Sequence, residues 1–132
     1  MPVQRSQSPG LLSLCVIGWL ITTLDAAQAH HSPSEFDIVG PIDIEGTVQE
    51  FRYTSPHSYI LMKVKGADGR IATWWLEGVA GETLGRDGWT NKSLKPGDEI
   101  RATISPLLNG GAGGAWLPGA IRFRDGKPVG GR

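Results

Sequence analysis

The chain is poor in the residues that most often announce a chemistry. It holds one cysteine, Cys15, and three histidines in 132 residues. From residue 16 onward there is no cysteine at all. A disulfide framework, a thiol nucleophile and any cysteine-based zinc or iron–sulfur site are therefore excluded from that part. Neither sign of charge is in excess, with 13 Lys+Arg against 13 Asp+Glu. No basic field exists to hold a phosphate backbone, so nucleic acid is not an expected partner. There is no polybasic run for a membrane surface either. G-x-S-x-G, H-E-x-x-H and Walker-type phosphate loops are missing, which removes the commonest hydrolase and nucleotide signatures.

Long apolar runs are also scarce. The exception is Leu11 to Leu24, LLSLCVIGWLITTL, which falls short of the roughly 18 residues of a membrane span. Arg5 precedes it and Ala27-Gln28-Ala29 follows it. A positive start, a short apolar centre and an A-x-A site make an export signal. Cys15 lies inside the run with Leu14 before it, which argues against a lipoprotein signal. The expected organisation is a signal peptide over 1–29 cleaved after Ala29, a flexible leader over 30–41, one domain over 42–124 and a fraying Gly-rich tail over 125–132. The expected location is the periplasm, with no membrane span left after cleavage.

Glycine, with 19 residues, and proline, with 9, are plentiful and fall between short apolar runs. That spacing is the signature of strands joined by turns. In IDIEGTVQEF (42–51), Ile42, Ile44 and Val48 alternate with polar residues, and the apolar phase then moves to Phe51. A phase change beside Gly46 predicts a bulge or coil in a long strand. His57–Lys65 is the second strand, Asp68-Gly69 a hairpin turn and Ile71–Glu77 the third strand. A short helix is expected from Gly81 to Asp87. The fourth strand is Glu99–Ser105 and the fifth Ala115–Arg124. Three strands, a helix and two strands describe an all-β, five-stranded, partly open barrel of the OB type, its short helix between strands three and four. A small β-sandwich is the competing fold.

The mature chain resembles a domain-of-unknown-function family of small exported bacterial proteins. The resemblance is carried by His30-His31-Ser32, Glu45-Gly46-Thr47-Val48 leading to Phe51, and Ser55-Pro56-His57-Ser58. Trp75, Glu77, Gly88-Trp89-Thr90 and Leu94-Lys95-Pro96-Gly97-Asp98 extend it. Members typically carry Asn-Pro-His where this chain has Ser55-Pro56-His57, so a chemical role for position 55 does not transfer. The resemblance implies export and a small β-barrel, and no activity.

All three histidines, His30, His31 and His57, are candidate metal ligands. Cleavage after Ala29 would give His30 a free α-amine, and amine and imidazole are both available as neutral nitrogen donors around neutral pH. His57 would add a third nitrogen in a T-shaped brace. Alternatively, His31 at mature position two could wrap a metal with the amine and a backbone amide. Such donors favour copper(II) among the divalent first-row ions. The plainer reading is polar surface beside a cleavage site, with His57 bonded to a turn carbonyl.

Tyr59, Trp74 and Glu77 are candidate ligand-binding residues on the face of strands two and three. Adjacent Trp74 and Trp75 must point to opposite faces. In the alternative packing Trp75 fills the core and Trp74 covers the helix with Trp89. Glu77 is expected to pair with Arg52, Lys63 or Arg86. Met62 shares a strand face with Ile60 and Val64 and belongs to the core. The expected function is an exported binding or accessory module, with copper as the candidate cofactor. A metal-free module for a small molecule or protein is the second reading, and a copper-dependent redox enzyme the third.

Overall fold

A computed structural model describes residues 35–131. Strand β1 (Ile42–Arg52), β2 (Tyr59–Lys65) and β3 (Ile71–Glu77) form an antiparallel meander. Helix α1 (Gly81–Arg86) follows, then β4 (Glu99–Pro106), β5 (Gly113–Ala115) and β6 (Ile121–Phe123). The order β1-β2-β3-β5-β4 closes on itself because β1 also pairs with β4, making a five-stranded barrel. β5 runs parallel to β3 and antiparallel to β4. This is the expected OB-type topology, with the helix between the third and fourth strands.

The expected fifth strand is divided in two. β5 and β6 lie along the same edge of β4, β5 at its C-terminal end and β6 at its N-terminal end. Leu117-Pro118-Gly119-Ala120 breaks the run, since Pro118 has no N–H to give a ladder.

Closure is worked out inside β1. Its first half pairs with β4 and its second with β2, and Gly46 and Thr47 pair with both. A side chain at Gly46 would fall on the carbonyl oxygen of Lys63 and lie 2.8 Å from Met62 Cε. Gly46 is thus a close-approach position where the strand coils from one partner to the other. The register shift itself falls between Val48 and Glu50, three residues beyond the glycine. It turns Phe51 inward opposite Ile60 and leaves Glu50 and Arg52 outward.

The core is built from alternate residues: Val48, Ile60, Met62, Leu76, Ile100 and Ile104 are each 2% exposed or less. Met62 is a core residue, as its strand face requires. Both ends of the described chain are packed. Phe36 of the leader is bridged to Leu107, Asp37 N–H donates to Pro106 O at 2.8 Å, and Leu108 N–H donates to Glu35 O at 3.0 Å. The leader from Glu35 therefore docks against the end of β4 and is not a free tether. The tail, expected to fray, is bridged at Arg122 and Pro128, and Val129 is 2% exposed in the core cluster. Among the described residues no helix is long and apolar enough to cross a membrane.

Candidate functional site

The turn between β1 and β2 is Thr54-Ser55-Pro56-His57, with a cis Ser55-Pro56 bond. It is held by Ser58, which is fully buried. Ser58 Oγ donates to Thr54 O at 3.2 Å and accepts from Thr54 N–H at 3.3 Å. Its backbone joins the exit of β3, with Ser58 N–H to Val79 O at 3.0 Å and Gly78 N–H to Ser58 O at 2.8 Å. The residue before it, His57, is fixed at the barrel end by these bonds.

His57 Nδ1 lies 2.9 Å from Glu77 Oε1 and 3.2 Å from Gly78 O. Both neighbours accept, so Nδ1 is the protonated nitrogen and the neutral ring carries its lone pair on Nε2. No partner of Nε2 occurs among the described residues. The His57 side chain is 34% exposed, against 6% for that of Glu77. A carboxylate so buried is costly without a partner, and its partner here is His57. The expected partners Arg52, Lys63 and Arg86 do not meet it. Arg52 pairs with Glu50, because the β1 bulge turns both outward.

Across Gly78 sits Trp116, 2% exposed. A β-carbon at Gly78 would lie 2.5 Å from its Cε2 and 3.0 Å from its Nε1. Only glycine admits the indole here. Trp116 backbone N–H donates to Glu77 O at 2.9 Å, continuing the register of β5 alongside β3. His57, Glu77, Trp116, Phe36, Val79 and Leu117 are among the residues lining a cleft of about 430 Å³.

The expected aromatic platform has a different composition. Tyr59 stacks on Trp75, ring centroids 5.2 Å apart and 28° between planes, beside Leu61 and the Glu50–Arg52 pair. Trp74 pairs with Met62 across the strands and packs on the core. Of the two tryptophans it is Trp75 that joins Tyr59, and the alternative packing with Trp75 in the core is reversed. Leu76 is fully buried, and Trp74 shares its face. The Tyr59 phenol is held above its ordinary value by burial first and by the negative charge of Glu77 second.

Among the described residues no three His, Cys, Asp or Glu side chains gather to hold a metal. His57 and Glu77 are two, and His30 and His31 lie outside the described residues. Trp116, Gly78 and Phe36 were not legible as site residues. Tyr59 and Glu77 were each legible as candidates, and the β2–β3 register sets them opposite one another.

Fold and site together define a small OB-type barrel with a half-exposed, carboxylate-oriented histidine at the mouth of an apolar cleft. The chain belongs to a family of unknown function, DUF6152, which it matches over residues 19–116. No curated protein and no solved structure matches it.

Proposed function

We propose that this protein is an exported, periplasmic binding module that takes copper at His57 together with the N-terminus created by cleavage after Ala29. The observation that carries the reading is the Nδ1 clamp by Glu77 and Gly78. A carboxylate on one imidazole nitrogen sets the tautomer, fixes the ring plane and raises the donor strength of the other nitrogen, as is usual around metal-ligating histidines. The leader supports it. Docking at Glu35–Asp37 leaves His30 only five residues upstream, a reach of about 18 Å at most, and Phe36 lines the same cleft as His57. The tether is shorter and better directed than a free leader starting at Pro41. His30 amine, His30 ring and His57 Nε2 make three nitrogens, a set that prefers copper(II).

The test is copper titration of untagged protein exported in a bacterial host, followed by native mass spectrometry. One copper per chain beginning at His30 is expected. His57→Ala should weaken binding by at least about tenfold, and a Met retained before His30 should do the same. Unchanged affinity in both variants would overturn the site.

A second reading is favoured by the stacked Tyr59 and Trp75. Half-exposed rings beside an Arg–Glu pair suit a planar or sugar-like ligand, or a protein surface, without any metal. Trp75→Ala should then abolish ligand capture with little loss of stability. Trp74→Ala should instead cost about 3 kcal/mol or more in denaturant unfolding. Equal stability of the two variants would contradict their assignment to opposite faces.

A further inference from the structure

The cleft beside His57 carries observations that copper binding does not use. Its volume of about 430 Å³ is nearly three times the roughly 150 Å³ that admits a benzene ring. Ile38 and Leu117 at its edge remain 74% and 68% exposed. Buried within its lining are two polar atoms with no partner among the described residues, Glu77 Oε2 and Trp116 Nε1. Such atoms are costly to leave unpaired, and they say what an occupant must offer.

The two demands differ. The carboxylate oxygen accepts, whereas the indole N–H can only donate. Both residues line the cleft, and their backbones are joined there, Trp116 N–H donating to Glu77 O at 2.9 Å. An ammonium group would satisfy Glu77 and leave the indole unanswered. A carboxylate would accept from the indole and be repelled by Glu77. A hydroxyl does both, donating to Oε2 and accepting from Nε1–H. We propose that the cleft binds a small, mainly apolar molecule bearing one hydroxyl, an alcohol or phenol, with the hydroxyl between Glu77 and Trp116 and the hydrocarbon against Phe36, Val79 and Leu117. The site does not depend on copper, since Glu77 holds His57 through Oε1 and meets the hydroxyl through Oε2.

Phenol and toluene, equal in size, are the probes. They are titrated into full-length exported protein stripped with a chelator, so that a negative result leaves the copper reading untouched. A merely greasy cleft prefers toluene by about tenfold, because a hydroxyl leaving water without a partner is penalised. The proposal expects phenol to bind at least as tightly as toluene and to shift the Trp116 indole N–H resonance. Trp116→Phe, which also assigns that resonance, should weaken phenol by about fivefold and leave toluene unchanged. Should Trp116→Phe fail to fold, the comparison of the two probes on the natural chain still decides. A preference for toluene, an absence of saturable binding by either probe at about millimolar concentration, or a phenol complex that leaves every indole resonance in place would overturn it.

Discussion

Glu77 has two oxygens in two situations. Oε1 orients His57, and Oε2 is buried without a partner among the described residues. A purely structural ion pair would gain little from this arrangement, since burial of the carboxylate opposes the attraction. A ring held for ligation gains its tautomer and its direction. Glu77→Gln tests the difference. The amide keeps the volume and one acceptor for Nδ1–H, so the fold should survive, with a melting temperature within a few degrees of the natural chain. Copper affinity should fall by about 10- to 100-fold, the usual consequence of losing a carboxylate behind a metal-binding histidine. Affinity unchanged in a competition titration would reduce Glu77 to a packing role. The same scale explains the exchange of Trp74 and Trp75. Side-chain parity along β3 is set by its most buried aliphatic residue, Leu76, which was a better guide than the size of either ring.

At the scale of elements, β1 decides whether the barrel closes. Gly46 sits where β1 is bonded to β2 and β4 at once, and no side chain fits against the Lys63 carbonyl. Gly46→Ala should therefore destabilise by about 3 kcal/mol or prevent folding, whereas the same replacement at an open, compatible position normally stabilises by about 0.4–1 kcal/mol. Denaturant unfolding measures it, and a melting temperature equal to that of the natural chain would remove Gly46 from the closure argument. The elements themselves were largely legible. Period-two runs and the Asp-Gly turn gave β1, β2 and β3, and Val79, Thr83 and Leu84 between the glycines left room for α1. The short β5 was not legible, since Gly113-Gly114-Ala115 carries no apolar alternation. It is a strand because β3 and β4 leave a gap into which only a backbone without side chains can pass, a Cβ at Gly114 lying 2.6 Å from Ser105 O. The cleft was hidden for the same reason: Trp116 reaches Gly78 only through the parallel pairing of β3 and β5.

At the scale of the whole molecule, a domain this small has little surface to bury, and Phe36 and Val129, near the two ends of the described residues, are both buried. Composition alone made residues 125–132 look like a fraying end, because it counts glycines and charges and does not see what lies beneath them. Trp89, 2% exposed, lies under that segment. A side chain at Gly130 would run into its indole, and Val129 N–H donates to Ile121 O at 3.1 Å. The rings Trp89 and Trp116 are in contact, centroids 5.0 Å apart. The tail is thus joined through two indoles to the wall of the His57 cleft. Removal of residues 128–132 should expose Trp89 and lose Val129, a cost of about 2–4 kcal/mol in buried apolar surface. For a chain of this size that corresponds to a melting temperature lower by about 10 °C or more. Trp89 fluorescence should shift to the red in the truncated chain before any unfolding begins. If instead the truncated protein melts with the natural chain, the tail is a passenger and the Trp89–Trp116 contact stands without it. If it melts early and also loses its response to phenol, the C-terminal segment belongs to the support of the cleft, and mutations far from His57 will be felt there.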